Sequence, residues 1–212
     1  MNTSLPKIIH QIWIGPNKLP ENCKAYIEKI ERLHPEYKHM LWTNDNIPCL
    51  PDLVKKQFDR YGNIKRYAFQ ADILRYYLIN DYGGIYIDID FEIKKNISPL
   101  LTKEFNIALP PFNPSKIHWV CNSFFASIQK NFVLEDILNN LKDEIYHGPI
   151  FFASKIKKFL NLQMDKTTLS VDIYNACLNN KYINCIDSKA VFNEYGHHHA
   201  LKSWINNDNR KI

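Results

Sequence analysis

The chain carries no large excess of charge of either sign. Its 27 Lys and Arg exceed its 22 Asp and Glu by five, scattered over 212 residues. That surplus is too small and too dispersed for nucleic acid as the main partner, while a weak pull toward anionic ligands or lipid surfaces stays open. No apolar run approaches the roughly 18 residues of a membrane span. Met1 to Pro6 show no charged segment leading into an apolar one, so neither secretion nor membrane insertion is expected. The five cysteines, Cys23, Cys49, Cys121, Cys177 and Cys185, are odd in number and form no C-x-x-C pair. This argues against a disulfide framework or a structural zinc site and leads to the expectation of a reducing cytoplasm. Internal repeats, low-complexity tracts and Gly/Ser linkers are also lacking, so one domain over 1–212 is expected. With 45% hydrophobic and 23% charged residues, disordered, collagen-like and coiled-coil chains are excluded.

What is present is an alternation of strand-like and helix-like segments. Residues 7–14, KIIHQIWI, run from Pro6 to Gly15-Pro16 and read as a strand buried on both faces. Helices are predicted over 21–34 and 51–61, on either side of a strand at 39–42. From Ile64 to Tyr82 the residues Ala68, Ala71, Leu74, Tyr77, Leu78 and Tyr82 recur at helical spacing and predict an apolar stripe. Gly83-Gly84 stops that helix, and IYIDID at 85–90 follows with the period of two of a strand. Further strands are expected near 106–109, 118–125 and 183–186, and helices near 131–145 and 149–160. The pattern is that of an α/β fold with a mixed sheet.

Period two puts Tyr86, Asp88 and Asp90 on one face of the 85–90 strand. Two carboxylates facing one way resist burial unless a cation neutralises them, and hard oxygen ligands suit Mg²⁺ or Mn²⁺. The plainer alternative is a pair of solvated aspartates on an exposed strand end. Asp72 and Arg75 stand three apart on the preceding helix, where an exposed ion pair of a few tenths of a kcal/mol is a sufficient account. Of His197, His198 and His199, neighbours in an extended segment point in opposite directions, so one of them is expected to reach a metal. Trp13 is either a core aromatic or a flat platform for a nucleotide base. In His147-Gly148-Pro149 the glycine is expected to allow a sharp turn into a helix. Lys155, Lys157 and Lys158 read as a solvated face.

Together these residues resemble glycosyltransferase family 32. PKIIHQIWIG at 6–15 resembles the family's opening strand. Ala71-Asp72 with Arg75, followed by Gly83-Gly84-Ile-Tyr-x-Asp-x-Asp90, resembles its sugar-binding region. His147-Gly148-Pro149 resembles a Thr-Gly-Pro element, and Tyr195 to Trp204 resembles a closing pattern of tyrosine, paired histidines and Ser-Trp.

The resemblance implies a GT-A fold: a Rossmann-like, nucleotide-sugar-binding α/β domain with a mixed, mainly parallel sheet. It implies a retaining, Mn²⁺- or Mg²⁺-dependent transfer from a UDP- or GDP-linked sugar to a saccharide or lipid-linked saccharide, in bacterial surface polysaccharide or oligosaccharide synthesis. On this reading Asp90 binds the metal directly, Asp88 binds the ribose or a metal-bound water, and His198 completes the coordination. Ser203 and Trp204 donate to the leaving phosphate, while Asp72 and Arg75 hold the donor sugar. Trp13 stacks on the base, and Asn122 lies beside the anomeric carbon. A cytoplasmic location is expected, with peripheral contact to an anionic membrane surface left open. The rival enzyme reading is a metal-dependent phosphohydrolase using the Asp pair, although such enzymes usually carry the motif on their first strand. A lectin-like module without catalysis is the third reading.

Overall fold

The computed structural model describes residues 4–110, 115–141 and 146–200. After the β-strand β1 (Ile8–Ile12), the chain forms α1 (Glu21–Leu33), β2 (Lys38–Trp42), α2 (Asp52–Asn63), α3 (Tyr67–Tyr82) and β3 (Gly84–Ile87). It continues through β4 (Phe91–Ile93), β5 (Phe105–Ala108), β6 (Cys121–Ser127), α4 (Phe132–Asn139), α5 (Pro149–Phe159), α6 (Ser170–Leu178), β7 (Ile183–Ile186) and β8 (Gly196–His198). The main sheet has six strands in the order β2-β1-β3-β6-β5-β7, and β4 pairs with β8 in a separate ribbon. β6 runs antiparallel to both its neighbours, β3 and β5; the remaining pairings in the sheet are parallel.

Alternate residues of the strands enter two cores, one on each sheet face. Ile12, Tyr86, Ile107 and Phe125 join the core covered by α2 to α6. Ile9, Ile85, Ile87, Phe124 and Ala126 join Ile30 of α1 and Phe91 of β4 in the second. Among the described residues no helix is long and apolar enough to cross a membrane.

Three expectations need correction. The 85–90 strand ends at Ile87, and Asp88 to Asp90 form a turn closed by Phe91 N–H donating to the Asp88 carbonyl at 3.1 Å. Core layers cover both faces of β3, so the aspartates leave it to reach open space. The long helix starts at Tyr67 because Lys65 adopts a positive φ of 57° that interrupts it. Its apolar stripe is also absent: every residue from Asp72 to Asn80 is buried, since α3 packs among α2, α4 and the sheet. Lys157 does not belong to a solvated face. Its ammonium is buried and donates to the carbonyls of Asp165 at 2.9 Å and Thr168 at 2.6 Å, replacing water for both partners. The short β4 and β8 and the helix α6 have no expected counterpart.

The Gly83-Gly84 passage is dictated by space as well as by its positive φ values of 66° and 100°. A Cβ on Gly84 would lie 2.4 Å from the Ile8 carbonyl oxygen, so only glycine lets β3 enter beside β1. The carbonyl of Gly83 accepts from His10 Nε2 at 3.0 Å, and His10 Nδ1 accepts from Trp42 Nε1 at 3.0 Å. These two bonds require a neutral ring, and burial lowers the His10 pKa from 6.5 to about 4. Unfolding exposes an imidazole that binds a proton more readily. Stability from this residue is therefore present above pH 6.5 and is lost as pH falls toward 4, by about 3 kcal/mol in full. Urea unfolding at pH 7.5 and pH 4.5 should show a shallower pH dependence for His10→Gln than for the wild type; equal slopes would exclude His10 as the source.

Candidate active site

The chain passes from β1 outward to β2 and returns to β3 on the other side of β1. In open α/β sheets such a reversal leaves a crevice beyond the carboxyl ends of the strands. Because β6 runs the opposite way, its first residues reach the same edge, and Asp88 N–H donates to the Ser123 carbonyl at 2.9 Å. A cleft of about 360 Å³ opens there, lined by Trp13, Tyr67, Phe69, Asp72, Arg75, Asp88, Asp90, Asn122, Tyr146 and His198 among others.

Its floor is a buried charge network. Arg75 donates from Nη1 to the Asn122 carbonyl at 2.7 Å, and lies 3.4 Å from both Asp72 Oδ1 and Asp88 Oδ1. Its guanidinium carbon sits 4.5 Å from the Tyr86 ring centre, a cation–π geometry. Asp72 and Arg75 are only 8% and 7% exposed, so the exposed-pair account fails. Asn122 Nδ2 donates to Asp72 Oδ1 at 2.9 Å and to the Tyr76 hydroxyl at 3.1 Å, and that hydroxyl donates to the His147 carbonyl at 2.9 Å. Burial raises the Asp72 pKa to about 6, against the pull of Arg75 and the Asn122 amide. Burial opposes the charge on Arg75, but Tyr86, Asp88 and Asp72 outweigh it and keep the guanidinium protonated.

Beside this floor the second Asp group faces the cleft. The Tyr86 hydroxyl donates to Asp88 Oδ1 at 2.6 Å, while burial raises the Asp88 pKa, with Asp90 adding to the rise against the pull of Arg75. His198 Nε2 lies 3.1 Å from Asp90 Oδ1 and 3.7 Å from Asp88 Oδ2. Burial lowers the His198 pKa, but the two carboxylates outweigh it and the net direction is up. Ligand atoms of Asp88, Asp90 and His198 lie within 4.8 Å of one another. Two carboxylates and an imidazole converging on one point fit a divalent cation.

Of the sequence-predicted residues, Asp72, Arg75, Asp88, Asp90, Asn122, His198 and Trp13 all line the one cleft. Trp13 follows β1, is half-buried, and donates from Nε1 to the Asn17 carbonyl at 2.8 Å. Ser203 and Trp204 lie outside the described residues. Tyr76, Tyr86 and Tyr146 were assigned no role from sequence. Spacing could have found the first, since Tyr76 follows Asp72 by four on one helix face. Gly148 is not called for by its turn, since its φ is −77°, but a Cβ there would lie 2.7 Å from the Tyr146 ring and hydroxyl as they stand. Glycine thereby leaves room for a tyrosine that packs edge-on against Phe69 at the cleft wall, with ring centres 5.0 Å apart.

Residues 20–106 match the family described as the glycosyltransferase sugar-binding region containing the DXD motif. That stretch of the chain is similar to a DXD glycosyltransferase sugar-binding region. The resemblance to glycosyltransferase family 32 therefore holds. It is 36% identical over 101 residues to the mannosyl phosphorylinositol ceramide synthase SUR1 of Saccharomyces cerevisiae, covering 46% of this chain and 25% of that protein. Inositol phosphoceramide mannosyltransferase 1 of Schizosaccharomyces pombe is 28% identical over 172 residues, covering 74% of this chain and 52% of the relative. The chain thus spans a quarter to about half of the length of these relatives. Among solved structures, the PaToxG glycosyltransferase superposes with a TM-score of 0.63 at 19% identity, over 74% of this chain and 70% of that one. The UDP-bound glycosyltransferase domain of the YGT toxin gives 0.51 at 11% identity, over 77% and 69%. The chain has the GT-A fold expected of it, with the mixed, mainly parallel sheet.

Proposed function

We propose that this chain transfers a sugar from a UDP- or GDP-linked donor to a hydroxyl of a saccharide or glycoconjugate, with a divalent cation and with retention of configuration. The observation that carries the reading is the convergence of Asp88, Asp90 and His198 next to the buried Asp72–Arg75–Asn122 network in one cleft. When bound, Mn²⁺ or Mg²⁺ would supply Lewis-acid stabilisation of the departing diphosphate. Asp90, Asp88 and His198 would hold it. Asp72 accepts and Arg75 donates hydrogen bonds toward the donor's hydroxyls, and the Asn122 side chain, held by Asp72 and Tyr76, keeps Asp72 turned to the cleft. Preorganised donors of this kind act without reorganising at the moment of reaction.

Retention is supported by what the carboxylates are doing. Among the described residues lining the cleft they are Asp72, Asp88 and Asp90, and all three are engaged with Arg75, Tyr86 or His198. None is left over as a separate general base on the far side of the sugar, which inversion would require. The leaving phosphate is then the acceptor's proton acceptor. The relatives' names join mannose to inositol phosphoceramide, which supports a glycoconjugate acceptor; an acceptor of surface polysaccharide or oligosaccharide synthesis is the other form of the same proposal. Tyr67, Phe69 and Tyr146 offer aromatic faces on which a sugar ring can pack.

Incubation with a panel of UDP- and GDP-sugars and Mn²⁺ tests the reading by release of free nucleotide, since donor hydrolysis needs no known acceptor. Release of phosphate from a simple monoester such as p-nitrophenyl phosphate, with no turnover of any nucleotide-sugar, would instead support the phosphohydrolase. Calorimetry adds a residue-level prediction. Trp13→Ala should weaken UDP or GDP binding by about 1–3 kcal/mol, and Trp13→Phe should keep most of it, because stacking needs a flat face. Normal nucleotide binding by a destabilised Trp13→Ala would make this tryptophan structural.

A further inference from the structure

The three adjacent histidines have three different fates at β8. His197 stands opposite Glu92 in the ribbon and is exposed. His198 stacks on Phe91, with ring centres 5.6 Å and planes 11° apart, and turns its Nε2 to Asp90 and Asp88. Phe91 can lie under it because Gly196 has no side chain: a Cβ there would come within 2.3 Å of the Phe91 ring. His199 turns the other way. Its ring lies flat on Tyr26 of α1, centres 4.8 Å and planes 5° apart, and its Nε2 is 3.3 Å from Glu92 Oε2. The second oxygen of Glu92 accepts from Lys29 Nζ at 2.8 Å. Tyr26 and Lys29, three residues apart, share one face of α1. The main chain closes the arrangement, with His199 N–H donating to the Asp90 carbonyl at 3.1 Å.

From this we propose that Tyr26, Lys29, Glu92 and His199 form a clasp that holds His198 against the Asp88–Asp90 turn, so that α1 sets the cation affinity of the site. His199 is a positioning residue and not a ligand. The proposal rests on the reading that Asp88, Asp90 and His198 hold a divalent cation. Lys29 and Glu92 are each about 30% exposed at the side chain, and ion pairs of that exposure contribute little to stability. What the clasp contributes is orientation: an imidazole already fixed beside two carboxylates does not have to be ordered when the cation arrives. Removing such outer partners of a ligand typically costs 10- to 100-fold in metal affinity.

The test uses Mn²⁺ alone as the probe, titrated into the whole chain and followed by the electron paramagnetic resonance of the free ion, with thermal midpoints recorded alongside. Tyr26→Ala and His199→Ala should each weaken Mn²⁺ binding by about tenfold. Tyr26→Phe, which keeps the stacking face, should stay within about twofold, and His198→Ala should lose more than any of these. Folded Tyr26→Ala and His199→Ala proteins with wild-type Mn²⁺ affinity would overturn the clasp even if their midpoints fell, and would leave the transferase reading standing. Loss of Mn²⁺ binding in His199→Ala but not in His198→Ala would make His199 the ligand and overturn it too. A wild-type chain that binds no Mn²⁺ would remove the metal reading and the clasp together.

Discussion

Asp90→Asn is expected to lose more than nine-tenths of sugar transfer at saturating Mn²⁺ while remaining folded. Asparagine keeps the shape of the turn but removes one of the two carboxylate charges that face His198 at 3.1 and 3.7 Å. A hard cation depends on that charge, both for affinity and for its strength as a Lewis acid. Stability without metal should move little. The substitution relieves the Asp88 carboxylate, whose pKa Asp90 helps to raise, and it removes part of the support for a charged His198. The two effects oppose each other. The signature is therefore a lost activity, a lost stabilisation by Mn²⁺, and a metal-free thermal midpoint close to the wild type's. Turnover above about a tenth of the wild type's, a loss under about 1.4 kcal/mol, would exclude Asp90 as a direct ligand.

Arg75→Met should be the most destabilising single change in the cleft. The guanidinium answers Asp72, Asp88 and the Asn122 carbonyl at once and covers the Tyr86 ring. Methionine fills much of the space but leaves the buried Asp72 and the half-buried Asp88 without their cation, and breaking a buried charge network in this way costs about 3–5 kcal/mol. The pH dependence identifies the cause. Burial already raises Asp72 to about 6 and raises Asp88 as well, with Arg75 holding both down. Without it both carboxyls rise further above their unfolded values, so the folded variant binds protons more readily than the unfolded one. Its stability deficit should be largest near pH 8 and shrink as pH falls toward 5. A deficit independent of pH would mean that Arg75 acts by packing alone. Arg75→Lys should recover only part of the loss, because a point charge cannot serve partners in several directions as the fork does.

Much of this protein could be read along the chain, because the relevant physics is local. The strand over residues 7–14, the Gly83-Gly84 passage and the D-x-D after it are written in hydrophobic period, chain reversal and residue type, and the structure has the α/β fold they imply. The residue types of the cleft were also legible: Asp72, Arg75, Asp88, Asp90, Asn122 and His198 come together there.

What the chain alone determined was thus which chemistry was available and which segments were helix or strand. Only the tertiary structure decided whether the Asp72–Arg75 pair was exposed or buried, because a helical period reports one covered face and α3 is covered on nearly all sides. It decided where the strand stopped, since Ile87 is the last residue of β3 and the aspartates had to leave a sheet covered on both faces to reach the cleft. And it placed His198 beside Asp88 and Asp90, and His199 against Glu92 and Tyr26. That placement depends on the register of β8 against β4 and on a stack with α1, pairings between segments more than a hundred residues apart, for which no local propensity carries a signal.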